Sequence, residues 1–367
     1  MTTAQQKLLT AVRMSGKTVK NRFGVAPMTR VTASEDGRVT EIMTRYYERF
    51  ARGGFGLVVT EGIYTDQAHS QGYPNQPGIT DDAQARSWKP LVSGIKCHGS
   101  LAIAQIMHAG AISQGNRFRD TTIGPSAIQP KGKQMTFYYG KDAYAVPAEI
   151  TEDQIAEVVK GFGDAAARAV EIAGFDGIEI HGANGYLLDQ FLTDYTNQRT
   201  DNYGGSTANR VLLLVQVINE VRARVGADVP VGIRISQGKV NDFTHKWAGG
   251  EKDAEIILSA LARAGVDFIH VTEFEAWKPA FGDAGPTLAA LAKKYAPSAV
   301  IIANGSLHDL DMAGSVVRED ADIVTLGRGA LANPDLPIRL AEAQSLREFD
   351  PSILGPIADI KDTELAL

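Results

Sequence analysis

Three side chains able to bind an oxygen or pass a proton, His181, Asn184 and Tyr186, follow the apolar run Gly177-Ile178-Glu179-Ile180 within one or two turns of chain. A strand ending on His181, followed by a short loop into a helix over Tyr186–Leu192, suits substrate binding and proton transfer. Taken alone, the His-x-x-Asn-x-Tyr spacing is explained as well by a loop in which His181 and Asn184 satisfy backbone groups and Tyr186 packs. Chemistry at equivalent places elsewhere in the chain is what raises it to a candidate site.

Such chemistry recurs. Other apolar runs end in Ala26-Pro27-Met28-Thr29-Arg30, Thr60-Glu61-Gly62, Gln105-Ile106-Met107-His108, Asn304-Gly305-Ser306 and Gly327-Arg328-Gly329. The glycines of the last two matter because backbone N–H groups reach a phosphate only where side chains are absent, and Arg328 adds a charged fork. Either tripeptide alone would be an ordinary turn; together, at the last two strand ends, they predict a phosphate site. Arg234 lies inside the apolar stretch Val231–Ser236, where an unpaired charge is too costly, so it needs an anionic partner. A core carboxylate such as Glu179 would serve.

These groups need a scaffold, and the hydrophobic pattern supplies one. Eight apolar runs of strand length recur: Phe23–Pro27, Leu57–Gly62, Leu101–Met107, Gly177–His181, Val231–Ser236, Phe268–Glu273, Val300–Gly305 and Asp322–Gly327. Helical stretches separate them, at Glu41–Ala51, Asp82–Lys96, Thr151–Ala173, Arg210–Val225, Lys252–Ala264, Thr287–Tyr295 and Asp309–Arg318. Thr151-Glu152-Asp153-Gln154 is a capping-box start. Continuous apolar strands alternating with helices predict a parallel sheet covered on both faces, and eight units predict a single-domain (β/α)8 TIM barrel over residues 1–367. A doubly wound open sheet is the alternative, weakened because no Gly-x-Gly-x-x-Gly follows the first strand. The interval of about 110–147, after the third strand, reads as a capping insertion over the barrel mouth. Residues 1–20 are expected to close the barrel bottom, and about 340–367 to form a C-terminal extension.

Composition bounds the function. Of 367 residues, 44% are hydrophobic and 22% charged, enough for a full core, and the net charge of −6 comes without blocks of like charge. That argues against nucleic-acid or membrane partners. The start MTTAQQKLLT has no apolar leader, and no run of about eighteen apolar residues occurs, so a cytoplasmic protein is expected. One cysteine, Cys97, cannot form an internal disulfide, a cysteine zinc site or an iron–sulfur cluster, and no metal is expected.

The chain resembles the old yellow enzyme family of flavin-dependent ene-reductases from about Lys20 to Arg339. The resemblance rests on His181-Gly-Ala-Asn-Gly-Tyr-Leu-Leu-Asp-Gln-Phe-Leu and Asn197-Gln-Arg-Thr-Asp-Asn-Tyr-Gly-Gly-Ser, with Ala26-Pro-Met-Thr-Arg, Gly72-Tyr-Pro-Asn-Gln-Pro-Gly-Ile and Ala332-Asn-Pro-Asp-Leu in support. It implies noncovalent FMN, with NADPH or NADH as hydride donor in a ping-pong cycle. Implied cofactor contacts are Pro27, Met28, Thr29 at the flavin O4 edge, Gly62 and Ala104 against the ring, Gln105 at its pyrimidine edge, His181, and Arg234 near N1 and O2. Asn304, Gly305, Ser306, Gly327 and Arg328 would take the phosphate. His181 and Asn184 would hold the carbonyl or nitro oxygen of a small activated alkene, and Tyr186 would protonate its α-carbon. Tyr73 and Trp277 would line the substrate pocket.

Some positions depart from the family pattern. Met107 stands where many relatives place Trp, and Gln237 where many place Pro. Reduction of nitrate esters or nitroaromatics would use the same residues, and a non-enzymatic FMN redox sensor would have no use for Tyr186. The oligomeric state is open, since the tail around Phe349–Ile357 offers no Tyr or Arg of the kind some relatives extend into a neighbour.

Overall fold

The computed structural model describes residues 1–366. Eight parallel strands form its centre: β1 (Phe23–Val25), β2 (Leu57–Val59), β3 (Leu101–Met107), β4 (Gly177–Asn184), β5 (Val231–Lys239), β6 (Phe268–Thr272), β7 (Val300–Asn304) and β8 (Ile323–Leu326). Each pairs with its neighbours in chain order, and β8 returns to β1 through Leu326↔Val25, closing the barrel. Their residues are almost all buried, as a sheet covered on both faces requires.

The covering helices start where the sequence offers caps. Thr40 caps Glu41–Arg52 (α1), the Thr151–Gln154 capping box starts Glu152–Arg168 (α2), Thr287 caps Leu288–Tyr295 (α3), and Asp309 caps Leu310–Glu319 (α4). Each such cap satisfies an N–H the helix cannot, worth about 1 kcal/mol. Two helices differ from expectation. Asp82–Lys96 is two helices, Asp82–Ser87 and Lys89–Cys97, the second beginning at Lys89-Pro90, where proline fits a first turn. Past Arg168 the expected single helix widens into a π-turn over Ala169–Ala173.

Inside the barrel, composition changes with height. At the lower end, Leu57, Val59, Ile103, Phe268, Ile302 and Ile323 pack with Met14 and Val19 of the N-terminal hairpin, Val12–Met14 and Lys17–Val19, which plugs the bottom as expected. Above them the inward residues turn polar: Gln105, Glu179, His270 and Thr325, then His181, Arg234, Thr272 and Asn304, all toward the strands' C-terminal ends. A polar barrel interior is costly unless satisfied, so this change of character marks the functional end.

Candidate active site

Strand β4 runs on to Asn184, past the expected end at His181, so both residues sit on the sheet and not in a loop. His181 lies beside Arg234 of β5 in register. Its Nδ1 accepts the Ala183 N–H at 3.3 Å. That bond requires the proton to be on Nε2, which leaves a donor. Burial, reinforced by the Arg234 charge, holds the ring well below its ordinary pKa, so His181 is a neutral donor.

Asn184 has φ of 63°, a left-handed conformation that costs energy outside glycine and signals an enforced geometry. Three contacts enforce it. The Asn184 N–H donates to Ser236 Oγ at 2.8 Å, Val240 N–H donates to Asn184 O at 3.1 Å, and the next residue, Gly185, donates to Asp189 Oδ2 at 2.7 Å. Asp189 in turn is held by Lys239 Nζ at 2.6 Å, both side chains at most 2% exposed. Tyr186 follows at the N-cap of the helix Leu187–Leu192, its ring edge-on to His181 at 4.8 Å between centroids. Burial pushes its hydroxyl up to about 12, offset in part by a hydrogen bond with Tyr73. Tyr186 therefore stays protonated at neutral pH.

These three residues border a cavity of about 340 Å³ that is also lined by Pro27, Met28, Thr29, Gly62, Gln105, Arg234, Gly327 and Arg328. At its floor, Arg234 Nη2 donates to Asn304 Oδ1 at 2.8 Å, and Arg234 Nε is buried without a partner among the described residues. Glu179, the carboxylate considered as its partner, instead takes Gln105 Nε2 at 2.7 Å and His270 Nδ1 at 2.7 Å. Gly62 faces Met107, where a Cβ would come within 2.0 Å of Sδ. A second recess of about 230 Å³ sits at the ends of β7 and β8, lined by Asn304, Gly305, Ser306, Gly327, Arg328 and Gly329 among others.

The structure thus gathers most of the residues singled out from sequence, and it separates a few. Tyr73 is fully buried behind Tyr186, the two hydroxyls 2.5 Å apart, and does not border the cavity. Trp277 packs against the main hydrophobic core and is not among the cavity's lining residues. Asn304 lines the recess, but its side-chain amide is committed to Arg234, Thr272 and the Thr325 carbonyl. Ser306 Oγ is likewise engaged, donating to Phe274 O. Lining residues not singled out include Met135, Phe137 and Tyr138 from the 110–147 segment, Phe243 after β5, and Leu354 from the C-terminal segment. Phe243, 75% exposed, carries the signal that Phe137 and Tyr138 also carry, an aromatic inside a polar loop. Leu354 carried none.

Strand-end chemistry of this kind on a closed parallel barrel, with a glycine-walled recess at the last two strands, is the class of barrel oxidoreductases that hold a flavin mononucleotide. Residues 7–347 match the NADH:flavin oxidoreductase / NADH oxidase family, and the chain belongs to it. It is 31% identical over 350 residues to a probable NADH-dependent flavin oxidoreductase, YqiG, of Bacillus subtilis, covering 93% of this chain and 89% of that one. To 12-oxophytodienoate reductase 1 of Oryza sativa subsp. japonica it is 35% identical, covering 94% and 88% of the two chains. Among solved structures, the old yellow enzyme homologue from Zymomonas mobilis superposes with a TM-score of 0.87 at 30% identity, over 98% of both chains. Morphinone reductase does so with 0.82 at 29%, over 95% and 92%. The protein is an FMN-dependent oxidoreductase of old yellow enzyme type.

The residues present fit that cofactor. The unpartnered Arg234 Nε offers a donor to an electron-rich ring edge at the cavity floor. The recess beside it excludes side chains where a phosphate needs backbone: Gly305 has φ of 142°, and a Cβ there would lie 2.1 Å from Glu273 O. Among the described residues, no helix is long and apolar enough to cross a membrane.

Proposed function

We propose that this protein uses NADH or NADPH to reduce the activated C=C bond of small α,β-unsaturated carbonyl or nitro compounds. The observation that carries the reading is the neutral His181 Nε2 donor bordering the same cavity as the Asn184 amide and the protonated Tyr186 hydroxyl. Bound FMN supplies a two-electron carrier between the nicotinamide and the alkene's β-carbon. His181 and Asn184 bind the substrate oxygen and stabilise the charge that gathers on it as the double bond is reduced, without a proton changing hands there. Tyr186 gives the α-carbon its proton. Thr29 and Gln105 would hold the flavin's polar edges, Pro27, Met28 and Gly62 would bound its ring, and Arg234 would set a positive charge beside it. Gly305, Gly327 and Arg328 hold its phosphate. Nicotinamide and alkene would occupy this one cavity in turn; a relative, morphinone reductase, has been solved in complex with tetrahydroNAD.

Steady-state turnover against a panel of enones, enals, maleimides, nitroalkenes and nitrate esters, with each nicotinamide, tests this. Saturated products without nitrite are expected. Nitrite as the main product would move the assignment to a nitrate ester or nitroaromatic reductase, and no turnover of any substrate by protein carrying FMN would leave only a redox sensor. The cytoplasm, where the nicotinamide pool is, is the compartment this activity needs.

A further inference from the structure

We infer that Glu179 and His270, neither of which reaches the cavity, are positioning residues that fix which atom of the Gln105 amide faces the flavin. Both side chains are fully buried in the barrel, one layer below the cavity floor. Thr325 Oγ1 lies 2.7 Å from His270 Nε2, His270 Nδ1 lies 2.7 Å from Glu179 Oε2, and Gln105 Nε2 donates to Glu179 Oε1 at 2.7 Å.

An ionised carboxylate only accepts hydrogen bonds, so the direction of this chain is determined. Burial pushes the Glu179 carboxyl up, but His270, through its hydrogen bond, together with the Arg234 charge and the Gln105 amide outweighs that and holds it below the ordinary carboxylate range. Burial also lowers His270 and outweighs Glu179 there, which leaves a neutral ring with its proton on Nδ1. Thr325 then donates to His270 Nε2, His270 donates to Glu179, and Gln105 donates to Glu179 from its NH2 group. Its other amide atom, Oε1, takes no hydrogen bond among the described residues and lies 3.5 Å from where a Cβ on Gly62 would be, on the cavity wall.

The oxidised isoalloxazine has one ring donor, N3–H, and an acceptor is what that donor needs. A terminal amide turns over at little cost when its surroundings allow, and the two orientations place opposite polarity at the ring. Glu179 removes that freedom. Were it neutral, it could donate to Gln105 Oε1, the amide would turn, and an NH2 group would meet N3–H. His270 and Thr325 keep Glu179 charged.

The inference rests on FMN binding at Gln105, and a double-mutant cycle on FMN affinity of the apoprotein, read by quenching of flavin fluorescence, separates the two ideas. Glu179→Gln is expected to raise the FMN dissociation constant about tenfold, the size of one lost hydrogen bond. In the Gln105→Ala background the same substitution is expected to change it little, since Glu179 then has no amide to orient. An equal loss in both backgrounds would overturn the inference and leave Glu179 as core structure. Failure of Gln105→Ala itself to weaken FMN would count against the flavin contact instead. If Glu179→Gln does not fold, His270→Gln and His270→Phe carry the same cycle. The first keeps a donor for Glu179 and should retain affinity; the second removes it and should lose about tenfold only when Gln105 is present. Equal affinities for the two variants would also refute the inference.

Discussion

The hydroxyls of Tyr73 and Tyr186, 113 residues apart in the chain, meet at 2.5 Å in a buried cluster with Met107 and Tyr144. Tyr73 has no other hydroxyl partner among the described residues, so when Tyr186 gives its proton to a substrate, Tyr73 can turn its own toward the oxygen left behind. Tyr73→Phe removes that donor and makes Tyr186 a weaker acid. A hydrogen bond to a charged oxygen is worth about 1.5–3 kcal/mol. Alkene reduction should therefore slow about 10–100-fold. Flavin reduction by NAD(P)H should be unchanged in stopped-flow traces, and equal slowing of both half-reactions would make Tyr73 a packing residue.

Tyr186→Phe should have the larger effect on the same half-reaction, about 10²–10⁴-fold, because the acid itself is lost. With nitroalkenes the loss should be least, since a nitronate is stable enough to leave and take its proton from water. Burial pushes Tyr186 up to about 12. The wild-type alkene half-reaction should therefore show no titration of this group across the neutral range. Enone reduction at the wild-type rate by the Phe variant would assign proton delivery elsewhere.

Much of this arrangement was legible in the chain because buried parallel strands read as unbroken apolar runs, and all eight were placed. Their ends were less legible: β2 stops at Val59 and the chain rejoins the sheet at Ile63–Tyr64, whereas β4 continues to Asn184. Hydrogen bonding at a barrel rim decides those ends, and hydrophobicity does not report it. The site residues His181, Asn184, Tyr186, Gln105 and Arg234 stood out as polar groups in or after apolar strands. Met135, Tyr138 and Leu354 did not, since irregular segments reach the cavity by long-range packing with no period to read. Trp277 shows the same gap in reverse. Its aromatic ring suggested a pocket wall, and the loop turns it against the core.

Gly305→Ala should cost FMN affinity with the fold retained. Alanine is strained at φ of 142°, and its Cβ would press on Glu273 O, so the backbone that lines the recess must shift. Equilibrium dialysis of the purified variant against FMN reads the effect. Wild-type affinity would remove Gly305 from the phosphate site.

The C-terminal segment that brings Leu354 to the cavity is tied down by Glu364, which pairs with Arg30 at 2.5 Å and Arg49 at 3.2 Å, all three side chains at most 3% exposed. Glu364→Gln leaves two buried guanidinium groups short of their anion and should cost about 3–5 kcal/mol of unfolding free energy in urea titrations. Burial raises the Glu364 carboxyl, but Arg30 outweighs it and the net shift is downward. A carboxyl lowered by folding contributes its stability above its unfolded pKa and loses it as pH falls through the folded value. The gap between wild type and variant should thus be full at neutral pH and shrink in acid. A gap independent of pH would locate the effect in packing.

The oxygen-binding role of His181 and Asn184 makes a prediction about charge. Both are neutral donors facing the cavity beside Arg234, so an anionic oxygen should bind better than its conjugate acid. Phenols should bind the oxidised FMN protein, give a long-wavelength charge-transfer band, and bind more tightly as pH rises through the phenol's own pKa. A protonated His181 would give the opposite trend, affinity falling as pH rises through the imidazole range. Burial and Arg234 place that titration well below the ordinary range, so no such fall is expected near neutrality. Replacing His181 and Asn184 together by Ala should abolish the band while FMN stays bound, because the phosphate recess and Arg234 are untouched. An unchanged phenol titration in that double variant would place the oxygen site on other residues, and affinity that declines between mildly acidic and mildly basic pH would show that His181 binds the oxygen as a charged ring.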